Sequence, residues 1–533
     1  MGSSSELDLV IDLRPDTGMA LHRQIYEQIR VAILTGRVRS HQKLPASRQL
    51  AISLGVSRTT VTQSYDQLIS EGYLQTKPGA GTFVCAQVPD SLLSINPTRN
   101  DIARDSASEL ETAALETAAQ PPLADLFSAY GDRLSRLPKR ASAFTATQLQ
   151  ARTQSKPVLS FRYWQPDVSL FPIEQWQRCI NRYRANSTDW MNYSQDSLGY
   201  EPLRNEIASY VAQTRAVHCH PDQILITQGT QQALHLIARV LLDTGDVIAL
   251  ENPGYLSARQ IFGSHSATLV PIAVDDEGMQ VNEPDGLVGQ SARLRIKLAY
   301  VTPSHQFPTG VLMSLSRRLA LLQWAHQTNA LIIEDDYDSE FRYSGRPVPA
   351  LQGLDTHQRV LYIGTFSKVM FPGLQLGYVV LPPSLVSVFA QAKWMCDRQS
   401  CLIHQAALTD FIAKGHLSKH IRRMRTLYAQ RREALIVALE SASSRSLSQV
   451  GEPAGLHIMV NLHTAPKPDH QLVSQAEKQA VKLFSAQPYY LPAPLCPFPH
   501  SMNRSVNGEF IFGFGGLNQA EIAIAIARIR PCL

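Results

Sequence analysis

From Val158 onward the chain alternates short apolar runs with stretches of helical periodicity, and nothing else in it constrains the fold as tightly. Apolar runs of strand length fall at 224–226, 247–250, 296–301, 331–333, 360–363 and 378–381. Helical stretches lie between several of them, for instance at 231–242 and 316–328. A strand covered on both faces reads as a continuous apolar run, and successive parallel strands need a crossover that is usually a helix. The pattern predicts an α/β domain over 158–533, built on a mainly parallel, doubly wound sheet.

The stretch 20–85 is of another kind. Leu21, Ile25, Ile29 and Ile33 recur every four residues until Gly36 stops the pattern. A short second helix is predicted from Ser47, as N-cap, to Leu54. Gly55-Val56 makes a tight turn, and a third helix follows from Ser57 to Glu71 with Val61, Tyr65, Leu68 and Ile69 on one face. Then come Gly72-Tyr73-Leu74, Lys77, a turn at 78–81 and Thr82-Phe83-Val84, the makings of a two-stranded wing. The segment holds eight Lys/Arg against three acids, so its net +5 equals the net charge of the whole chain. A basic helix-turn-helix with a wing points to double-stranded DNA. The third helix opens Ser57-Arg58-Thr59-Thr60, four hydrogen-bonding side chains off the apolar face. Arg58 suits a guanine edge, its neighbours suit bases or phosphates, and Arg48 suits a phosphate. Against this stands the plainer reading that these residues cap and solvate a helix.

Residues 1–19 read as a tail and 86–157 as a linker, rich in Ala, Ser, Thr and Pro, with Leu-Glu-Thr-Ala-Ala at 110–114 and again at 115–119. No run approaches the ~18 apolar residues of a membrane span. Met1 to Glu6 carry neither a basic start nor an apolar core, and the seven scattered cysteines have no C-x-x-C spacing. These features predict a cytoplasmic protein with no membrane partner, no disulfide framework and no metal site.

Within the α/β region several strand ends carry chemistry. Lys368 follows the run 360–363 with Thr365 and Ser367 beside it, and Asp335 and Tyr337 follow the run 331–333. Gly229-Thr230-Gln231 opens a helix after a strand, and Tyr255 follows another. Together they offer an amine for an imine, a carboxylate for a pyridine nitrogen, a phenol for a ring oxygen, an aromatic face and a phosphate cradle. That is the set that pyridoxal 5′-phosphate requires.

The motifs Leu44 to Ala51, Leu54 to Val61, Glu71-Gly72-Tyr73 and Gly79 to Val84 resemble the GntR-type winged helix-turn-helix. The second half resembles the fold-type I aminotransferases, and the whole chain resembles the MocR/GabR-type subfamily of GntR regulators. Matching stretches include Gly199 to Arg204, Thr302 to Gly310, Glu334 to Arg342 and His420 to Arg425. The resemblance implies a smaller C-terminal subdomain, and a homodimer because fold-type I sites are built at dimer interfaces. It also implies DNA contacts at Arg48, at 57–60 and near Gly81. By it Lys368 is the Schiff-base lysine, Asp335 the pyridine-nitrogen partner, Tyr337 the partner of the ring oxygen, and Thr365, Ser367 and 229–231 the phosphate cradle.

Two positions depart from the family. Gln375 stands where an arginine usually grips the phosphate, and the late strand 509–514 lacks a carboxylate-clamping arginine, leaving Arg259 and Arg504 as candidates for effector binding. The expectation is a DNA-binding transcription regulator that senses pyridoxal phosphate, or an amine or amino acid, through an aldimine at Lys368. An active aminotransferase with an accessory DNA-binding module is the alternative, and residual transaminase activity stays open. So does a regulator that uses the cofactor only as structural glue. The run 414–432, with seven basic residues and no acid, reads as a solvated helix face.

Overall fold

The computed structural model describes residues 11–14, 18–86, 127–137, 158–184, 190, 192–193, 196–345, 348–442, 447–463, 467–491 and 508–532. They fall into two compact units, one ending by residue 119 and one beginning at 120.

In the small unit, helix Leu21–Leu34 buries Ile25, Ile29 and Ile33, the spacing seen in the sequence. Helix Ser47–Leu54 is capped by Ala46, which is still extended, so Ser47 is its first helical residue and not its cap. Gly55 closes that helix in the left-handed region at φ 65°, where glycine carries no Cβ penalty. Ser57 caps helix Arg58–Ser70, its Oγ accepting the Thr60 N–H at 3.1 Å. Strands β1 (Leu74–Lys77) and β2 (Gly81–Val84) pair antiparallel, with Leu74 opposite Val84 and Lys77 opposite Gly81. Lys43 bridges Phe83, and the Leu44 N–H donates to the Thr82 carbonyl at 2.9 Å, so the segment before the second helix widens the wing. Ile25, Ile29, Val61, Tyr65, Leu68 and Leu74 share one core.

In the large unit the strands are, in chain order, β3 (Leu159–Ser160), β4 (Ile224–Thr227), β5 (Val247–Asn252), β6 (Thr268–Asp275), β7 (Gly278–Met279), β8 (Ile296–Val301), β9 (Leu331–Asp336), β10 (Val360–Thr365), β11 (Gly377–Val380), β12 (Leu447–Val450), β13 (His457–Leu462), β14 (Val481–Lys482), β15 (Phe484–Ser485) and β16 (Glu509–Gly513). Eight of them form one sheet in the order β4-β11-β10-β9-β8-β5-β6-β7. All six apolar runs lie in it. β5, β6, β8, β9 and β10 run parallel, whereas β11 is antiparallel to both β10 and β4. Apolar residues cover both faces: Leu298 and Tyr300 of β8 join one core, Ala299 and Val301 the other. This is the alternation that a doubly covered sheet demands. β6 went unread because Pro271 interrupts it. Proline lacks the N–H a ladder needs. Here β7 covers only Val274 and Asp275 on that side, so the missing donor leaves no gap in a ladder.

β12, β13, β16 and β15 make the smaller antiparallel sheet near the C-terminus, and β3 pairs with β14. Within 86–157, helix Ala129–Ser135 packs on the large unit: Arg133 Nε donates to the Ser264 carbonyl at 2.7 Å, and Tyr130 lies 5.4 Å from the His265 ring. The tandem repeat at 110–119 lies outside the described residues. Among the described residues no helix is long and apolar enough to cross a membrane.

Candidate functional site

The carboxyl ends of the parallel strands gather the candidate residues. Asp335 is the penultimate residue of β9, in register with Ile363 of β10, and Lys368 lies just beyond β10. Asp335 is buried. Its Oδ2 accepts the Tyr300 hydroxyl at 2.7 Å, while its Oδ1 has no partner among the described residues. Burial raises its carboxyl from 3.8 to about 7, against the opposing pull of that hydrogen bond. Burial lowers the Lys368 amine from 10.5 to about 8, against the Asp338 and Asp335 carboxylates. Lys368 Nζ donates to the Trp164 carbonyl at 2.8 Å.

The phosphate-side residues also converge. Thr365 of β10 faces Gly377 of β11, and Gly377 faces Thr227 of β4, whose chain leads into helix Gly229–Leu241. A Cβ on Gly377 would lie 3.0 Å from Gly229 Cα, so backbone meets backbone there. Gly229 itself is left-handed, at φ 76°, and a Cβ on it would meet nothing within 4 Å. The N–H groups of Thr230 and Gln231 belong to the first helical turn, which has no acceptors of its own. Gln231 Nε2 donates to the Tyr255 hydroxyl at 3.1 Å, joining two of the expected residues. The Thr365 hydroxyl accepts the Ser367 N–H at 3.2 Å.

Other positions differ from expectation. The Tyr337 hydroxyl donates to the His305 carbonyl at 2.9 Å, so its proton is engaged within the protein. Gln375 is exposed and left-handed at φ 52°, and its amide donates to the Pro372 carbonyl in its own loop at 2.8 Å. Arg259 spends both terminal nitrogens on the carbonyls of Tyr490 and Pro488, each at 2.9 Å. It braces the 488–490 segment. Arg504 lies outside the described residues.

Three residues near Lys368 escaped the sequence reading. Tyr300 holds one oxygen of Asp335. His305 and Asp338 form a buried pair at 3.1 Å beneath Tyr337. Tyr300 was legible only as the apolar end of a strand. The acidic run at 334–338 sits at a strand end, and Glu334, Asp335, Asp336 and Asp338 are all buried.

In the winged unit, Arg48, Ser57, Arg58 and Thr59 are exposed and Thr60 is half-buried. Ser57 and Thr60 are partly occupied with each other, their hydroxyls 2.8 Å apart, so the capping reading holds for this pair. Gly81 sits at the start of β2 at φ 113°, where a Cβ would come within 2.9 Å of Lys43 Cε. The ammonium groups of Lys43 and Lys77 lie 6.0 and 5.1 Å from the Phe83 ring, putting two cations on the wing. Lys43 was not foreseen, because its place in the wing depends on a bridge between distant residues.

The residues present fit pyridoxal phosphate. A buried carboxylate oxygen without a donor is rare in folded proteins, and a pyridine N–H would satisfy it. A winged helix joined to a body of this kind defines a DNA-binding regulator with a pyridoxal-phosphate aminotransferase fold. Residues 21–84 match the family of bacterial regulatory proteins, gntR family, and residues 165–497 match aminotransferase class I and II. The chain belongs to the MocR/GabR-type subfamily of gntR-family transcription regulators, and pyridoxal phosphate is the cofactor of its large domain. It is 35% identical to the probable rhizopine catabolism regulatory protein MocR of Rhizobium meliloti, over 91% of this chain and 90% of that protein. It is 29% identical to the pyridoxine biosynthesis transcriptional regulator PdxR of Corynebacterium glutamicum, over 99% of each. A solved multiple substrate aminotransferase from Thermococcus profundus superimposes with a TM-score of 0.66 at 27% identity, covering 77% of this chain and 98% of that one.

Proposed function

We propose that the large domain holds pyridoxal phosphate on Lys368 and reports either the cofactor itself or an amine to the DNA-binding unit. The observation that carries this is the unpaired Oδ1 of buried Asp335, on the strand next to the one that leads to Lys368. Pyridoxal phosphate, when bound, supplies an electrophilic carbon to which a primary amine adds. Lys368 serves as the protein's own amine, and its lowered pKa keeps a useful fraction neutral and nucleophilic near pH 8. Asp335 accepts from the ring nitrogen, Tyr300 orients it, Tyr255 flanks the ring, and Tyr337 serves the ring oxygen by releasing the His305 carbonyl. Gly229, Thr230, Gln231, Thr365 and Ser367 hold the phosphate. Arg58 and Thr59 read bases, and Arg48, Lys43 and Lys77 hold backbone phosphates. The working form is a cytoplasmic homodimer on a repeated operator.

Of the two effectors, the cofactor itself is the better supported. Gln375 brings no charge to the phosphate, and charge-assisted hydrogen bonds are roughly twice as strong as neutral ones. Loose binding lets occupancy follow free concentration. One relative regulates pyridoxine biosynthesis, although another regulates the catabolism of a small molecule, rhizopine.

The test is a visible absorbance scan with added cofactor and then candidate amines, run beside operator binding. Operator affinity that tracks cofactor occupancy supports cofactor sensing. A protein that stays fully loaded through dialysis and responds only to a particular amine replaces it with amine sensing. Steady turnover of an amino donor and a keto acceptor, with DNA binding indifferent to both, favours the aminotransferase alternative.

A further inference from the structure

Successive residues of a strand point to opposite faces. On the face of β9 that takes Asp336 rather than Asp335 lies a cavity of about 380 Å³, between helices Glu201–Arg215 and His416–Ala442. Its wall from the long helix is Ser418, Ile421, Arg422 and Arg425. That is the i, i+3, i+4, i+7 face of one helix, so two exposed arginines of the basic run at 414–432 border a concavity. The floor brings Arg342, whose Nε is buried with no partner among the described residues and whose nearest carboxylate, Glu452, is 3.9 Å away. Arg425 gives Nε to the Glu340 carbonyl at 3.0 Å. Among the described residues neither Arg422 nor Arg425 has an ion-pair partner.

Charge in the cavity is one-sided. Arg215 lines it too, but is neutralised by Asp336 at 2.7 Å. Among the described residues that leaves the guanidinium groups of Arg342, Arg422 and Arg425 facing one lining carboxyl, Glu340, which accepts the Tyr210 hydroxyl at 2.9 Å. Burial pushes Glu340 up to about 7, toward its neutral form. Ser339 and Ser418 add hydroxyl groups to the lining. A cavity of this volume is at the small end of ligand sites, which run about 300–1,000 Å³.

We infer that this cavity binds a small oxyanion with at least two negative charges, of the phosphate-monoester or dicarboxylate class, at a site distinct from that of the cofactor. Guanidinium forks match the oxygens of both groups bidentately, and Arg422 and Arg425, together with Arg342 held only at 3.9 Å from Glu452, call for a di-anion. None of Asp335, Tyr337, Tyr255 and Lys368 lines the cavity. The phosphates of DNA share this chemistry, but the enclosed shape between two helices suits a small molecule.

The full-length protein, loaded with pyridoxal phosphate and freed of excess, is titrated calorimetrically with inorganic pyrophosphate and separately with succinate. Saturable binding of at least one probe is expected, weakened about tenfold or more in Arg422→Ala/Arg425→Ala. Arg342→Gln, checked for fold by circular dichroism, should weaken it as well, and the cofactor's absorbance should stay unchanged throughout. The inference is overturned if neither probe binds saturably, or if the double variant binds as the wild type does. It is also overturned if binding bleaches the cofactor absorbance, which would place the probe in the phosphate cradle. The double variant losing operator affinity while keeping its probe binding overturns it too, and assigns these arginines to DNA.

Discussion

The winged unit and the large unit solve opposite problems with the same kinds of side chain. In the winged unit the chemistry-bearing residues are mostly exposed and local: Ser57 to Thr60 are consecutive, and the Ser57 and Thr60 hydroxyls lie 2.8 Å apart. In the large unit Asp335 and Gly229 are buried, most of the others are half-buried, and they come from strand ends far apart in the chain, from Gly229 to Lys368. An exposed arginine costs the fold almost nothing and gains its value from a partner. A buried carboxylate or amine is costly until something answers it, and Asp335 and Lys368 pull each other's neighbourhood toward a compromise that a ligand resolves. The winged unit presents its donors at the surface, whereas the large unit holds its acidic groups at 334–336 and 338 in the interior.

The sharpest way to break this contrast is at Lys368. Lys368→Ala should abolish the visible absorbance of lysine-bound cofactor completely while the circular dichroism stays native. A surviving spectrum means that another amine carries the cofactor. Arg58→Ala should weaken specific operator binding by about 1–3 kcal/mol and relax one base position. A loss spread evenly over all sequences would make Arg58 a phosphate contact.

Asp335 tests the burial side. Its folded pKa of about 7 lies above the ordinary 3.8, so the fold prefers the neutral acid. Its contribution is fully present below about pH 4 and is lost as pH rises through 7. In cofactor-free protein, Asp335→Asn should therefore raise stability by about 4 kcal/mol at pH 9 and by almost nothing at pH 4, as read from denaturant titrations. A stabilisation that does not change with pH would mean that charge is not the cause. Gln375→Arg should tighten cofactor binding by about tenfold and blunt the response of DNA binding to added cofactor; spectroscopic titration and operator binding measure the two halves. The smallest effect is expected from Ser57→Ala, about 1 kcal/mol of thermal stability in the winged unit from loss of its cap. If operator specificity falls instead and the melting curve does not move, Ser57 is a reader and not a cap.

What was legible in the sequence follows the same division. The winged helix could be read nearly residue by residue, because helix periodicity, caps and turns are local; the slips, such as Ser47 for Ala46 and Glu71 for Ser70, are single positions. In the large unit the six most apolar strands were legible because burial on both faces leaves a continuous signal. The direction of β11 was not, since an apolar run has no polarity. The candidate site residues were visible, but their partners were not: nothing near Asp335 in sequence announces Tyr300, and nothing near Tyr337 announces that its hydroxyl donates to the His305 carbonyl. The basic run at 414–432 read as solvated. Arg431, inside it, is buried on Asp167 at 2.6 Å, because which side of a helix faces a neighbour is decided by that neighbour.

The reversed direction of β11 has a mechanical consequence. Because β11 returns against β10, the stretch 366–376 leaves the sheet at Thr365 and rejoins it at Gly377, two residues paired on the same rung. Lys368 hangs near one foot of this clasp and Gln375 near the other. The rung continues across Thr227 toward Gly229, where the backbones touch too closely to leave slack. A load applied to the lysine amine is borne by both feet and passes to the helix start beside them. Lys368 and Gln375 are thus carried on one stiff loop, whose two feet share a rung of the sheet with the strand that leads to Gly229.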